Sequence, residues 1–316
     1  MMDGGQLNGI IVIDKPQKIT SAGVVKFVKK TLKVDKVGHA GTLDPFAEGV
    51  LICCVNQACR LAKFLLGGNK KYVAELKLGE ETDTQDLTGN VVATGEPGNL
   101  ANKTIQTVCK SFEGQIEQLP PVFSALKHRG VPLYKLARRG RPVQKPPRRV
   151  KIDKIAILDI ALPFIRFEVS CSAGTYIRTL AADVGRALGC GAHLHALKRI
   201  ESSGFTLDQA ISLSALQTLT ESRRMEEHMI SMADALPDLP AYAAGETLFE
   251  KIRHGKMIAT RDLMSHNDVD ISGIPDAFIK IVDQGGHLIA ILNHHKFRQK
   301  LDYCCVFPNQ FEYTQG

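Results

Sequence analysis

The chain has 316 residues, of which 44% are hydrophobic and 23% charged. That is enough apolar material for one large core with a smaller domain beside it, and it excludes an intrinsically disordered chain. The formal net charge is +7, an excess that favours polyanionic partners over basic ones. No apolar run approaches the roughly 20 residues a membrane-spanning helix needs, and "MMDGGQLNGIIVIDKP" lacks the basic start and cleavage site of a secretory leader. The eight cysteines form no C-x-x-C pair and several sit in strand-like runs, as expected of reduced, buried thiols in a cytoplasmic protein.

From the start of the chain, "GIIVID" (9–14) is a short β-rich run ended by "KP". Ser21 is placed to cap a helix in which Val24, Val25, Phe27, Val28 and Leu32 fall at helical spacing. Lys26, Lys29, Lys30, Lys33 and Lys36 occupy its other side and the residues just beyond. After a Gly-rich turn, 50–55 predicts a fully buried strand, "ACRLAKFLLGG" a helix, and "KKYVAELKLG" an alternating strand with Tyr72, Ala74, Leu76 and Leu78 on one face. "GEETDTQDLTGN" is an acidic, turn-rich loop and "NKTIQTVCKSF" a helix.

Residues 124–151, "SALKHRGVPLYKLARRGRPVQKPPRRVK", hold ten Lys or Arg and no Asp or Glu. Their prolines and glycines suggest an excursion from the core, mobile until a polyanion relieves the repulsion, with Leu133, Tyr134 and Leu136 then packing as a short helix. Such clustering points to nucleic acid; the ordinary alternative is a solvated loop. Strands at "VKIDKIAILDI" and "FIRFEVSCSAG", an amphipathic helix at "TYIRTLAADVGRALG" and a strand at "AHLHALKRIESSGF" follow without a regular βαβ rhythm. This predicts an α+β fold with a central mixed, mostly antiparallel sheet. "LPDLPAYAAG" suggests a linker, after which "AFIKIVD", "HLIAILN" and "DYCCVFP", separated by "QGG" and "NHH" turns, suggest a small C-terminal β-barrel. The expected division is 1–240 and 241–316.

The most unusual stretch is "GHAGTLDPFAEGVL" (38–51). Pro45 restrains Asp44, and Gly38, Gly41 and Gly49 allow close backbone approach. An aspartate in such a turn can be a cap, or a nucleophile or base that needs no metal. The pattern around it decides. "GHAGTLDPFAEGVL" resembles the catalytic motif of the TruB family of pseudouridine synthases. "DKPQKITS", "KKYVAELKLGEETDTQDLTG", "LPPVFSALKHRGVPLYKLARRG", "SAGTYIRTLAADVG" and "AHLHALKRIESSGF" resemble its other motifs, in family order across roughly residues 9–205. The C-terminal part resembles the small RNA-binding PUA domain that many relatives carry. Three positions depart: Lys18 stands where a glycine is usual, "NQACR" (56–60) replaces "GxATK", and Lys198-Arg199 replaces a paired arginine.

The resemblance implies the pseudouridine synthase fold and isomerisation of a tRNA T-loop uridine, at position 55, to pseudouridine. It implies no cofactor and no metal. Asp44 would be the essential carboxylate, either attacking C1′ or removing a sugar proton. Tyr72 would stack on the extruded base, although an alternating strand can also hold a plain core tyrosine. Arg178 would pair with Asp44 and aim it. His39 would fill the space the base left, Leu197 would form pocket wall, and Lys15 would shape the site. The 124–151 segment would be the family's RNA-gripping thumb. The expected partner is the tRNA T-arm, bound by a monomer without an obligate protein partner or a membrane. Two rivals are a non-enzymatic tRNA folding helper and a guide-RNA-dependent synthase within a ribonucleoprotein; intact Asp44, Tyr72 and Arg178 argue against the first and the basic segment against the second.

Overall fold

The computed structural model describes residues 7–264, 277–294 and 300–307. The chain passes through β1 (Gly9–Lys15), α1 (Ser21–Leu32), β2 (Val37–His39), β3 (Glu48–Val55), α2 (Ala62–Leu66) and β4 (Lys70–Leu78). A short hairpin, β5 (Glu80–Thr82) and β6 (Val91–Thr94), leads to α3 (Asn102–Ser111) and β7 (Gly114–Gln118). Next come β8 (Lys127–His128), β9 (Val131–Pro132), α4 (Leu133–Ala137), β10 (Arg148–Ala161), β11 (Phe164–Cys171), α5 (Ile177–Ala187), β12 (Ala192–Ser202), β13 (Phe205–Thr206) and α6 (Leu213–Glu221). The last stretch holds β14 (Ala241–Ala243), α7 (Glu246–Arg253), β15 (Ile258–Ala259), α8 (Arg261–Met264), β16 (Ala277–Val282), β17 (Leu288–His294) and β18 (Lys300–Val306).

The main sheet has nine strands in the order β1-β3-β12-β4-β11-β10-β7, with β2 beside β3 and β13 beside β12. All neighbours are antiparallel except β3 and β12, which meet in parallel through Lys198–Glu48 and Arg199–Gly49. The α+β expectation and the mixed sheet are both found. β3 is apolar on both faces because both are covered. Leu51, Cys53 and Val55 pack with Val24 and Val28 of α1 and Leu216 of α6. Val50, Ile52 and Cys54 face the other way, into a cluster that also takes Leu288, Ile291 and Phe307. α5 lays Leu180, Ala181 and Val184 on Ala74 and Leu76 of β4 and on Ile105 of α3.

The second sheet, β14-β16-β17-β18-β15, curls into a half-barrel. β17 gives Ile289 and Leu292 to a small core with Leu248 and Ile252 of α7. Its Leu288 and Ile291 belong to the cluster shared with β1 and β3. Phe64 of α2 meets Phe278 of β16 edge to face, with ring centroids 5.0 Å apart. Arg60 donates to the Val306 carbonyl, and its guanidinium lies 6.0 Å from the Phe307 ring centroid.

Several local expectations change. The cap of α1 is Thr20, whose hydroxyl accepts from Gly23 N at 2.9 Å; Ser21 is buried and used elsewhere. The basic segment is shorter as an excursion than 124–151, because Arg148–Lys151 are the first residues of the core strand β10. Within it β8 and β9 pair as a hairpin, and Leu133 of the expected short helix, α4, is fully buried. The expected linker carries β14, paired in parallel with β16, and buries Tyr242. The α6 helix, which the sequence reading left without an element, closes the outer face of β1 and β3. The "NHH" turn lies partly outside the described residues.

Candidate active site

Asp44 sits in the connection between β2 and β3, beside the parallel junction of β3 with β12. Its turn is held by backbone. Lys18 N donates to the Pro45 carbonyl at 2.7 Å, and Ala47 N to the Asp44 carbonyl at 3.2 Å. The Ser21 hydroxyl accepts from Leu43 N at 2.8 Å and lies 3.0 Å from the Leu43 carbonyl, fastening the start of α1 to the residue before Asp44. Gly49 is required at the other end. Its φ is +104°, and a Cβ there would lie 2.2 Å from the Arg199 carbonyl oxygen. Gly41, at φ +108°, also needs glycine, whereas Gly38 shows neither a left-handed backbone nor a close backbone neighbour.

A cleft of about 380 Å³ opens over this turn, lined by Asp44, Tyr72, Arg178 and Leu197 among others. Strand periodicity aims these side chains. The residues of β4 that point inward include Lys70 and Tyr72, and Leu197 and Arg199 of β12 stand opposite Ala74 and Tyr72. Arg178 enters from the first turn of α5. Its Nε lies 2.9 Å from Asp44 Oδ2, and a terminal nitrogen donates to Oδ1 at 3.4 Å. The guanidinium is held from behind by the Thr84 and Phe123 carbonyls, both at 2.9 Å, and by Asp86 at 3.6 Å. Asp86 is itself buried and accepts from Thr84, Thr88 N and the Thr88 hydroxyl. The Arg178 side chain is 4% exposed and the Asp44 side chain 33%. So the arginine is structure, and the carboxylate is what a ligand meets.

Besides Lys15, two further cations, Arg199 and Lys70, are buried, and sequence reasoning named only Lys15 as shaping the site. Arg199 is 1% exposed and donates to the carbonyls of Val50 (2.8 Å), Gly41 (3.1 Å) and Thr42 (3.4 Å), closing the Asp44 turn from the β12 side. Lys15 is fully buried and donates to Pro16 and Ile19 carbonyls at 2.9 Å, with the Pro45 carbonyl at 3.5 Å. Burial pulls its pKa down to about 8, against the opposing pull of Asp44. Lys70 is likewise lowered to about 8 by burial, with Arg199 adding repulsion. The Tyr72 hydroxyl is pushed up by burial and partly restored by Arg199. Arg148, from the end of the basic segment, lies 4.5 Å from the Tyr176 ring centroid and also lines the cleft. The one available signal for Arg199 was the departure at Lys198-Arg199; the structure separates the pair, leaving Lys198 beside Glu48 at the surface.

His39 is not among the cleft-lining residues. It ends β2 opposite Cys53, and burial and Arg199 lower its pKa. Among the described residues no group of three or more His, Cys, Asp and Glu side chains could hold a metal ion. All eight cysteines are free, and no helix among the described residues is long and apolar enough to cross a membrane.

The fold that carries this cleft has clear counterparts among solved structures. A Cbf5–Nop10–Gar1 complex contains a chain that superposes with a TM-score of 0.73 and 28% identity, covering 96% of this chain and 86% of that one. A chain of an H/ACA ribonucleoprotein bound to a substrate RNA containing 2′-deoxyuridine gives 0.70 and 26%, over 95% and 84%. The fold is that of a pseudouridine synthase with a PUA-like C-terminal half-barrel. The sequence narrows the class. Residues 29–177 match the N-terminal domain of the TruB family pseudouridylate synthases, and residues 178–237 match the tRNA pseudouridylate synthase B C-terminal domain. tRNA pseudouridine synthase B of Syntrophotalea carbinolica is 47% identical over 235 residues, covering 74% of this chain and 76% of that protein. The Geobacter sulfurreducens protein of the same name is 47% identical over 249 residues, covering 79% and 82%. The chain belongs to the TruB family of tRNA pseudouridine synthases and is an enzyme of that class.

Proposed function

We propose that the protein isomerises uridine to pseudouridine at position 55 in the T-loop of tRNA, with Asp44 as the essential carboxylate. The observation that carries this is the Asp44–Arg178 pair at the floor of a cleft walled by Tyr72 and Leu197. A base cannot reach that floor while stacked in a loop, so the target nucleotide is extruded first. Tyr72 supplies a ring for it to stack on, and Leu197 an apolar wall. The N1–C1′ bond then breaks and a C5–C1′ bond forms; the proton lost from C5 is balanced by one gained at N1, so no group enters or leaves. Asp44 serves either by attacking C1′ or by removing a sugar proton. Arg178 holds it in one orientation through both steps, because its other nitrogens are tied to carbonyls and Asp86. His39, beside the cleft rather than in it, fills the place of the extruded base. The same reading divides the labour of the chain near residue 240, the half-barrel adding RNA affinity.

The rival of a guide-RNA-dependent synthase is disfavoured by the basic hairpin and α4, which supply this chain with its own grip. Asp44→Asn decides between an enzyme and a mere tRNA binder. Tritium release from 5-labelled uridine in a tRNA transcript is expected to fall by about 10³-fold or more, roughly 4 kcal/mol in the barrier, with filter binding retained. Activity within tenfold of wild type would remove Asp44 from the chemistry. Wild-type release that persists when the position-55 uridine is replaced would remove the site assignment.

A further inference from the structure

α1 starts at the catalytic turn and leads away from it. Its first residue, Ser21, is hydrogen-bonded to Leu43, the residue before Asp44. Twelve residues then carry the helix about 18 Å outward at 1.5 Å per residue. Val24, Val28 and Leu32 face the core. Lys26, Lys29, Lys30 and Lys33 are exposed at i, i+3, i+4 and i+7, so they form one stripe along the opposite side, and α1 contains no acidic residue.

A solvated helix face is the ordinary reading of such lysines, and a basic last turn suits the helix dipole. Two features go beyond it. Lys26 and Lys30 are an i,i+4 pair of like charge, which weakens a helix by a few tenths of a kcal/mol. Lys33 occupies the C-cap in a left-handed conformation (φ 54°, ψ 39°), where glycine or asparagine is the unstrained choice. The chain therefore places four positive charges in line at a local conformational cost, on a ramp that begins at the carboxylate. Phosphates on a nucleic-acid backbone have the spacing and sign to meet them.

We propose that the outer face of α1, through Lys26, Lys29, Lys30 and Lys33, is a second RNA-binding surface that grips the sugar–phosphate backbone of the RNA continuing out of the cleft. The cleft selects the nucleotide; the stripe holds the stem behind it. This rests on tRNA being the substrate. It carries no base specificity, because lysines on an exposed face meet phosphates and not base edges.

The test compares K26Q/K29Q/K30Q/K33Q with wild type and with K103Q/K110Q/K154Q/R223Q, which neutralises the same number of exposed basic residues elsewhere. Binding of a tRNA transcript is measured across salt concentrations, and pseudouridine formation in parallel. The α1 variant is expected to lose about 0.7–0.9 from the log–log salt slope for each phosphate contact removed and to raise KM roughly tenfold or more, with kcat within about twofold of wild type. Equal losses in both quadruple variants would reduce the effect to net charge and overturn the proposal. An unchanged slope and KM, with only a shift in melting temperature, would leave the lysines as dipole partners of the helix. Neither outcome touches the assignment of the cleft, which fails only if the wild-type protein forms no pseudouridine in that transcript.

Discussion

The cleft and the C-terminal half-barrel are held together by different physics. In the cleft, two buried guanidiniums are held by polar partners: Arg178 by Asp44, Asp86 and the Thr84 and Phe123 carbonyls, Arg199 by the carbonyls of Gly41, Thr42 and Val50. In the half-barrel the holding is apolar, with Leu288, Ile291 and Phe307 sunk into a cluster that begins on β1 and β3. A buried charge tolerates almost no substitute, because removal of one partner strands the others. An apolar contact tolerates any side chain of similar volume. The two family models together cover residues 29–237 and stop short of the half-barrel.

The largest effect that tests this contrast is at Arg178. Arg178→Lys keeps the charge but gives up the planar fork that reaches a carboxylate and two carbonyls together. Two stranded acceptors at roughly 1–3 kcal/mol each should lower kcat/KM by about 10²-fold or more. Arg186→Lys, on the exposed side of α5 and half exposed in its side chain, serves as the control and should be near wild type. If both lysine variants turn over alike, the cleft does not depend on the geometry of its cations.

The second test asks how separate the half-barrel is. Phe307 is fully buried and packs with residues of both sheets, under the Arg60 guanidinium. Phe307→Ala is expected to lower global stability by about 3–5 kcal/mol in a single unfolding transition, since the cavity opens in a core that both parts share. Two transitions in calorimetry, with the larger one unmoved, would instead make residues 241–316 an appended domain. The same geometry qualifies any truncation at residue 240. It would expose Leu61, Leu65 and the Val50 face of β3 to water, so a loss of activity on truncation reports lost folding as well as lost RNA affinity.

These contrasts also explain what the amino-acid pattern disclosed. Strands and helices of the catalytic region were legible from periodicity: β4 alternates along its whole length, and α5 shows its apolar stripe at Ile177, Leu180, Ala181 and Val184. Asp44, Tyr72, Arg178 and Leu197 were legible because they stand in motifs, and the structure brings all four to one cleft. Asp86 was not, since a buried carboxylate in "TDTQDLTG" looks like any acidic turn until its threonines are seen to bond it. Arg199 was hidden for a similar reason. In a strand, neighbouring residues point to opposite faces, so Lys198 and Arg199 look like a surface pair while one of them lies in the floor of the site. The basic segment showed its charge more plainly than its anchors. Leu133 is buried and β8 pairs with β9, so a few apolar and backbone contacts sit among charges whose repulsion water and salt largely screen. His39 was named from its motif to fill the place of the extruded base, and it lies beside the cleft rather than in its lining.

The smallest expected effect lies where the chain departs from its relatives without disturbing the cleft. Lys18 has φ +66°, in the region where a Cβ is crowded, and it occupies the position where a glycine is usual. Asn56 has φ +50° and also stands where glycine is usual. The two are not equivalent. Asparagine enters the left-handed region more readily than other residues. Asn56 is further compensated by its side chain, which accepts from Lys36 N at 3.0 Å and donates to the Leu7 carbonyl at 2.7 Å. Lys18 is exposed, and its side chain has no hydrogen-bond partner among the described residues to offset its strain. Its backbone N–H nevertheless holds the Pro45 carbonyl at 2.7 Å, next to Asp44. Lys18→Gly should therefore keep that bond while relieving about 1 kcal/mol of strain, partly offset by the greater freedom glycine gains in the unfolded chain. A net gain of about 0.5 kcal/mol in denaturant unfolding is expected, with kcat unchanged. Asn56→Gly should instead lose stability, by about 1 kcal/mol or more, because the Lys36 and Leu7 backbone groups lose their partners. If the two glycine variants shift stability in the same direction, side-chain compensation is not what separates these departures, and backbone strain alone governs both.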